Sequence, residues 1–374
     1  MAGEKCVRIG MIGAGSWANW GHMPVYQKHP RAKLVAVCDT VAERAESAAE
    51  RFGAEFVSTD FAQVLERGDV DAVDIATPNV SHAAISLAAL KAGKHVMCEK
   101  PMAMSYEEAE HMYRAAKEAD VKTGINFVYR RHPAARFARH IVEQGHIGRV
   151  FHVNAFYMQS WLIDPELPLV WRMQKEVTGT GVLGDLGSHI IDLVEWITGE
   201  RIKAIVADMQ TFIRERPLPD GSGTGQVDVD DDTNLLARFE NGATGVFVTS
   251  RYGTGQTNYQ RIEIYGDKGS VIYSWDDVSH VRAALGPVFI RERVMAPIPV
   301  PRRFKSPIPE DEHNVSGNIR AFIQAILEDG DMEPGFQDGL RNQEILEAVE
   351  ISARDRCWVE LPLSNSFAMQ QAVL

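Results

Sequence analysis

The sequence lacks the features of a membrane-spanning or exported chain. No stretch approaches the roughly 18 consecutive apolar residues that span a bilayer. The N-terminus has no charged and then apolar leader, so we expect neither a membrane segment nor export. Basic residues are in deficit, with 39 Lys and Arg against 51 Asp and Glu, which leaves 39 − 51 = −12 charges. That balance disfavours nucleic acid and anionic membranes as partners.

Cysteine is scarce, and no C-x-x-C pair occurs among Cys6, Cys38, Cys98 and Cys357. We expect each to be a buried thiol, without a disulfide framework, as in a cytoplasmic protein. The sequence also has no H-E-x-x-H, no cysteine quartet, no Walker lysine and no G-x-S-x-G motif. The acidic run 230–232 is typical of solvated charges at a strand start, so no metal site is predicted.

The length of 374 residues predicts two domains. Over residues 1–125, short apolar runs alternate with helical patterns, which indicates an α/β domain with a parallel, Rossmann-type sheet. The predicted strands are 7–12, 33–39, 55–58, 72–77 and 95–98, and the predicted helices are 41–52, 61–67, 81–92 and 105–119.

Residues 126–374 follow another pattern, which predicts an α+β domain with a large, mostly antiparallel sheet. The predicted strands are 149–158, hairpins over 232–252 and 261–275, and a last strand at 358–361. The predicted helices are 185–198, 315–328 and 338–354, with loops at 214–231 and 297–309. The C-terminal helices can pack back on the first domain. The open face of such a sheet suggests self-association.

The segment Gly13-Ala14-Gly15-Ser16-Trp17-Ala18 fits G-x-G-x-x-A between a predicted strand and a predicted helix. There Gly13 permits a tight turn, Gly15 lets a pyrophosphate approach the backbone, and Ala18 lets helix and strand pack closely. Asp39 ends the second strand, where a carboxylate accepts from both ribose hydroxyls and repels a 2′-phosphate. We therefore predict NAD as the cofactor, with NADP as the alternative.

Two further strand ends carry polar residues at the same edge of the sheet. Thr77-Pro78-Asn79 follows the fourth strand, with His82 in the next helix, and Glu99-Lys100-Pro101 follows the fifth. Ligands of open α/β sheets bind at this edge, so we predict cofactor contacts for Thr77, Pro78, Asn79, His82, Glu99 and Lys100. Pro101 fixes the chain so that Lys100 can be aimed at the ligand, with Glu99 orienting it. A surface ion pair is the alternative.

The helix over 185–198 carries a polar stripe at helical spacing, formed by Asp185, His189, Asp192 and Trp196. A carboxylate one turn before an imidazole can fix its tautomer and suits a general base near neutral pH. The alternative is an N-capping Asp with an unrelated surface His. Glycines at 179, 181 and 184 let the backbone pass close to another group.

These motifs resemble the Gfo/Idh/MocA oxidoreductases, named for glucose–fructose oxidoreductase and inositol dehydrogenase, over nearly the whole chain. The resemblance rests on residues 13–18, 76–79 with His82, 99–101, 184–192 and 335–339. It implies that Lys100, Asp185 and His189 are the catalytic set. The glycine run before Asp185, commonly three glycines in the family, reads Gly179-Thr180-Gly181 here.

The resemblance also implies an NAD-dependent dehydrogenase that oxidises a secondary hydroxyl of a cyclic sugar or polyol, in the class of levoglucosan, inositols and pyranoses. His189 would take the hydroxyl proton, and Lys100, arriving from the other domain, would stabilise the alkoxide. The expected substrate contacts are Tyr129, Arg130, Trp161, Asp185 and His189, and further expected cofactor contacts are Trp171 and Arg172. For the aromatic and arginine side chains in this set, core packing or an interdomain ion pair is the alternative. The resemblance also implies a homo-oligomer, a tetramer or a dimer. Two alternatives are a glycosidase that uses bound NAD for transient oxidation and a non-catalytic NAD- or sugar-binding sensor.

Overall fold

The structure, a computed structural model, describes residues 5–305 and 313–363. Within these ranges the chain forms two compact units, residues 5–128 with 313–343 and residues 129–305 with 344–363. The strands in chain order are β1 Val7–Ile12, β2 Ala32–Cys38, β3 Phe56–Ser58, β4 Ala72–Ile75, β5 His95–Cys98, β6 Thr123–Ile125, β7 Val150–Met158, β8 Ile202–Gln210, β9 Glu215–Pro217, β10 Thr224–Gln226, β11 Asp232–Phe239, β12 Thr244–Ser250, β13 Tyr259–Gly266, β14 Gly269–Ser274, β15 His280–Leu285, β16 Ala296–Pro299 and β17 Val359–Glu360.

Most helices are regular α-helices, but two π-helical turns occur in the described ranges, Ala18–His22 and Leu183–Gly187. The α-helices are α1 Met23–Lys28, α2 Ala42–Phe52, α3 Phe61–Leu65, α4 His82–Lys91, α5 Tyr106–Glu118, α6 Pro133–Glu143, α7 Lys175–Thr178, α8 Ser188–Thr198, α9 Pro287–Glu292, α10 His313–Glu328 and α11 Phe336–Asp355. Short 3-10 turns lie at Asn79–Ser81, Val128–Arg131, Trp171–Met173 and Arg302–Phe304.

The first unit is built on a parallel sheet in the order β3-β2-β1-β4-β5-β6. The predicted Rossmann-type sheet is confirmed, and β1 and β5 have the predicted bounds. The short β6 was not predicted. Two hydrophobic clusters fill this unit, and Ile319, Phe322 and Ile323 of α10 belong to the cluster that contains β1. Because the strands of this sheet are parallel, the carboxyl ends of β1, β4 and β5 lie at one edge, which carries the candidate residues.

The second unit is built on a nine-stranded sheet in the order β16-β15-β14-β13-β7-β12-β11-β8-β17. Every neighbouring pair is antiparallel except β7 and β12, so the predicted mostly antiparallel sheet is confirmed. Strands β8, β15 and β16 were not predicted, and β16 occupies the start of the predicted loop 297–309. The predicted loop 214–231 contains the small ribbon β9-β10. In the predicted loop 297–309, residues 306–309 lie outside the described residues.

The cysteines divide evenly between interior and surface. Cys38 and Cys98 are buried, but Cys6 and Cys357 are exposed, so the prediction of four buried thiols was wrong for those two. Burial raises the pKa of the Cys38 thiol to about 11. Among the described residues, no helix is both long enough and apolar enough to cross a bilayer.

Candidate active site

The glycine-rich loop after β1 has the geometry that a phosphate-binding turn requires. Gly13 has a φ of +94°, and a Cβ there would lie 2.6 Å from the carbonyl oxygen of Ala76, so only glycine fits. A Cβ built on Gly15 meets no atom within 4 Å, which leaves the backbone open to an approaching ligand. Ser16 is exposed beside it, and the chain then enters the π-turn. The loop thus fits the pyrophosphate of a dinucleotide.

Asp39, the predicted ribose ligand, braces this loop from the end of β2. Its Oδ2 accepts the N–H of Ala14 at 2.8 Å, and its Oδ1 accepts the N–H of Val41 at 2.9 Å. Each carboxylate oxygen has a second acceptor position, so these bonds leave the carboxylate able to accept from a ribose. The ribose contact stays a prediction.

The residues after β4 have different degrees of exposure. Pro78 is exposed and Thr77 half-buried, whereas Asn79 is buried. The ring of His82 is completely buried, with Nδ1 2.9 Å from the carbonyl oxygen of Pro101 and Nε2 3.0 Å from that of Thr77. Burial lowers the pKa of His82, although the two carbonyls act to raise it. His82 therefore lies between the loops that follow β4 and β5. Its predicted contact with the cofactor stays a prediction.

Glu99 connects Lys100 with the interior of the first unit. Its Oε1 accepts the indole N–H of Trp17 at 2.8 Å and the amide of Asn126 at 2.6 Å. Its Oε2 accepts the backbone N–H of Lys100 at 3.3 Å. Lys100 itself is half-buried at the strand end. The cofactor contacts predicted for Trp17, Glu99 and Lys100 stay predictions.

Sequence reasoning missed one partner of Glu99, which is His22, and the second carboxylate that His22 contacts, which is Asp74. His22 lies in the π-turn, fully buried, between the carboxylates of Asp74 and Glu99 at 2.8 and 2.9 Å. One signal was available, because Asp74 interrupts the apolar run of a buried strand. A carboxylate in such a place requires a partner.

Asp185 lies in the π-turn Leu183–Gly187, in the second unit, and its carboxylate is held by an arginine. Oδ2 of Asp185 accepts from Nη2 of Arg251 at 3.0 Å. Arg251 is fully buried, also donates to the carbonyl oxygens of Gly181 and Arg172, and lies 5.3 Å from the ring centre of Trp161. Arg251 was not predicted, and it connects Asp185 with the indole that is expected to contact substrate.

His189 is buried in α8, against an aromatic group. The ring of Tyr129 meets it edge-on with centroids 4.7 Å apart. The hydroxyls of Tyr129 and Tyr157 are 2.6 Å apart, and Tyr157 donates to Oδ1 of Asn258 at 2.8 Å. Burial raises the pKa of both tyrosines, so they act as neutral hydrogen-bonding groups. The structure therefore brings Tyr129 and His189 together, as their common prediction for the substrate site requires.

Three other predicted residues, Arg130, Trp171 and Arg172, occupy different surroundings. Arg130 forms a buried, bidentate pair with Asp192, with Nε 2.9 Å from Oδ2. The predicted substrate contact of Arg130 stays a prediction. The guanidinium of Arg172 stacks 4.2 Å from the ring centre of Trp171. The cofactor contacts predicted for Trp171 and Arg172 stay predictions.

The acidic run 230–232 is not the solvated charge run that was predicted. Asp230 and Asp231 are buried, and Asp230 accepts the N–H groups of Gly181 and Leu183 at 2.6 and 2.7 Å. A Cβ on Gly181 would lie 1.9 Å from the carbonyl oxygen of Asp230. The group that passes close to this glycine is therefore the backbone of Asp230, which anchors the turn that carries Asp185.

The comparisons with known proteins agree with this architecture. Residues 7–127 match the oxidoreductase family with an NAD-binding Rossmann fold, and residues 135–272 match the Gfo/Idh/MocA C-terminal domain. The chain belongs to the Gfo/Idh/MocA family and is an NAD-dependent oxidoreductase, as the motifs predicted.

Individual relatives match over nearly their whole length. Levoglucosan dehydrogenase of Pseudarthrobacter phenanthrenivorans is 35% identical, over 95% of this chain and 98% of that protein. A structure of levoglucosan dehydrogenase in complex with NADH and levoglucosan has a TM-score of 0.89 and 34% identity, over 96% of this chain and 100% of that one. An oxidoreductase domain protein from Kribbella flavida has a TM-score of 0.88 and 38% identity, over the same shares.

Proposed function

We propose that this oxidoreductase oxidises a secondary hydroxyl of a cyclic sugar or polyol, in the class of levoglucosan, inositols and pyranoses. The observation that carries the proposal is the retention of Lys100, Asp185 and His189 at the family's motif positions, in a chain that is 35% identical to a levoglucosan dehydrogenase. The surroundings of His189 support it, because aromatic rings and neutral hydroxyls suit the C–H faces and hydroxyls of a sugar.

Bound NAD supplies the acceptor for the hydride that leaves the carbinol carbon. The open backbone at Gly15 and the carboxylate of Asp39 fit its pyrophosphate and ribose. His189 takes the proton of the substrate hydroxyl as general base, and the charge of Lys100 stabilises the alkoxide that develops. Asp185 supplies a negative charge one helical turn before His189, and this charge favours the imidazolium formed once the base has its proton.

A panel of substrates tests this function directly. Levoglucosan, myo-inositol and glucose are offered with NAD and, separately, with NADP, and reduced cofactor is followed by its absorbance. Lactate and glycerate serve as hydroxy-acid controls. We expect NADH from at least one cyclic compound, at a rate that increases with pH as the imidazole of His189 loses its proton. The substitution His189→Ala removes most of that rate and flattens its dependence on pH.

Three results would contradict the proposal. Turnover of the hydroxy acids without turnover of the cyclic compounds would overturn the substrate class. Cleavage of an aryl glycoside without net NADH would favour the glycosidase that uses NAD transiently. Tight binding of NADH and sugar with no turnover of either class would favour a sensor.

We also propose that the chain forms a homo-oligomer, a dimer or a tetramer, through the open face of the nine-stranded sheet. Leu236 of β11 is half-exposed on this face, with Val206 and Val246 as its cross-strand neighbours. An exposed leucine with a half-buried valine beside it on each neighbouring strand suits a self-complementary contact. Light scattering after gel filtration measures the mass, and Leu236→Glu should lower it if this face is the interface. The cytoplasmic location stays a prediction from the sequence.

A further inference from the structure

His22 is a histidine with a fixed charge inside the first unit. Both ring nitrogens face carboxylate oxygens, with Nδ1 2.8 Å from Oδ2 of Asp74 and Nε2 2.9 Å from Oε1 of Glu99. Ionised carboxylates only accept hydrogen bonds, so both nitrogens carry hydrogen and the ring is an imidazolium. Burial lowers the pKa of His22, but the two carboxylates outweigh this and raise it to about 10. Tyr26 donates its hydroxyl to the same Oδ2 of Asp74 at 2.7 Å.

The carboxylate of Glu99 is held in one place from three sides. His22 and Trp17 donate to its Oε1 from the helical segment after the glycine loop, and Asn126 donates from the segment after β6. Burial raises the pKa of Glu99, but His22, Lys100 and Asn126 together lower it to about 2. The remaining oxygen accepts the backbone N–H of Lys100. The position of Lys100 is thus connected to His22 through a single carboxylate.

Stability alone does not explain this cluster. Buried ion pairs are weak contributors to stability, since apolar residues of similar volume stabilise a core as well or better. The cluster also lies at a π-turn, a rare conformation that recurs at functional sites, and the other π-turn of the described residues carries Asp185. Both observations favour a role at the strand end where Lys100 lies.

We propose that His22 is a positioning residue that acts through Glu99 to fix the direction of Lys100. The inference rests on the proposed role of Lys100 in the reaction. The imidazolium clamps Oε1 of Glu99, and the clamped carboxylate holds the peptide N–H of Lys100 through Oε2. Loss of the clamp lets the lysine ammonium leave the place where the alkoxide develops, which costs turnover without removing a binding contact.

Three variants separate this role from a structural one. His22→Gln removes the imidazolium and leaves a buried carboxylate without its positive partner. The double variant His22→Gln with Glu99→Gln removes one positive and one negative charge together, so the net charge of the cluster is unchanged. His95→Gln is the matched control, because His95 begins β5, the strand that Glu99 follows, and accepts the N–H of Lys122 at 2.8 Å. Each variant is assayed for kcat, KM and melting temperature with the best sugar of the panel.

For His22→Gln we expect kcat to fall by about 10–100-fold, because a small misplacement of a group that acts in the reaction lowers the rate by about this factor. The KM values for sugar and NAD should change little. The double variant should recover melting temperature but not kcat, and His95→Gln should keep both. Recovery of kcat together with melting temperature in the double variant would overturn the inference, because His22 would then only balance charge. The same holds if folded His22→Gln turns over like the wild type.

A second measurement does not depend on turnover. Lysines are labelled by reductive methylation with ¹³C-formaldehyde, and the Lys100 signal is assigned by its loss in Lys100→Arg. We expect this signal to shift in His22→Gln and in the double variant, but not in His95→Gln. A shift without oxidation of any sugar would uphold the positioning of Lys100 and overturn the proposed function. Oxidation of a sugar by the wild type, with a Lys100 signal that does not shift in His22→Gln, would uphold the proposed function and overturn the positioning role of His22.

Discussion

The guanidinium of Arg251 is fully buried and holds the carboxylate of Asp185 at 3.0 Å, while its central carbon lies 5.3 Å from the ring centre of Trp161. One arginine thereby joins a residue of the proposed catalytic set to a residue of the proposed substrate site. The carbonyl oxygens of Gly181 and Arg172 accept from the same guanidinium, so its loss would disturb both segments.

Arg251→Met should therefore lower both activity and stability. Removing one partner of a buried pair leaves a charge uncompensated, and because Asp185 is partly exposed we expect a cost of about 3 kcal/mol, the low end for buried pairs. Urea unfolding measures this, and kcat/KM should fall with it. Arg354→Met, at an exposed pair with Asp355, should change neither quantity. If Arg251→Met keeps the unfolding free energy and the kcat/KM of the wild type, as Arg354→Met should, Arg251 is dispensable.

Two glycine substitutions should affect different properties, one the stability of the fold and the other the affinity for NADH. Gly181→Ala places a Cβ 1.9 Å from the carbonyl oxygen of Asp230, so we expect a loss of about 3 kcal/mol in unfolding free energy. Gly15→Ala meets no atom within 4 Å, so stability should hold while the affinity for NADH falls, because the Cβ occupies the approach of the pyrophosphate. Melting curves and NADH titration of both variants give the test. A stable Gly181→Ala protein would contradict the close approach.

Asp39→Ala should weaken NAD binding and reduce discrimination against NADP. The substitution removes the predicted ribose acceptor and the charge that repels a 2′-phosphate, and it releases the N–H of Ala14 from the loop. The ratio of kcat/KM for NAD to that for NADP measures this. Asp60→Ala is the control, because the side chain of Asp60 caps α3 through the N–H of Ala62. An unchanged ratio in Asp39→Ala would leave Asp39 as a loop brace.

Lys100→Met should lower kcat far more than it lowers affinity for NADH. A charge that stabilises the developing alkoxide acts in the transition state, so its loss appears mainly in kcat. Lys94→Met, just before β5, removes an ammonium that donates to the carbonyl oxygens of Arg67 and Val70 and should leave kcat unchanged. Near-normal turnover of Lys100→Met on its best substrate would exclude the proposed role.

The cluster of His22, Asp74, Tyr26 and Glu99 should make stability depend on pH in a defined window. The pKa of His22 rises from 6.5 to about 10 on folding, so its contribution is complete below pH 6.5 and is lost as the pH rises through 10. The pKa of Glu99 falls from 4.5 to about 2, so its contribution is complete above pH 4.5 and is lost as the pH falls through 2. The joint contribution is therefore largest between pH 4.5 and 6.5.

Nitrogen NMR of ¹⁵N-histidine-labelled protein checks the main element of this window. The His22 ring, assigned by its loss in His22→Gln, should keep imidazolium shifts up to about pH 9, while exposed histidines titrate near neutrality. A His22 signal that titrates near pH 6.5 would contradict the charged cluster.

Much of the first unit could be predicted from its sequence, because the determinants are local. The apolar run Val7–Ile12 forms a strand with the predicted bounds, and the turn at Gly13 needs a positive φ that only glycine adopts cheaply. The motifs around Lys100 and His189 were likewise sufficient to identify the family and its cofactor. The spacing of residues along one helix or one strand end carries this information without any knowledge of the fold.

The partners of the charged residues were decided by tertiary structure alone. His22 meets carboxylates 52 and 77 residues away, and Arg251 meets Asp185 across 66 residues. Whether a carboxylate is solvated or buried depends on which strands become neighbours, and the run at 230–232 was misjudged for that reason. Local periodicity determined most of the strands and helices and the loop that fits the cofactor, whereas the order of strands in each sheet determined which charges meet inside the protein.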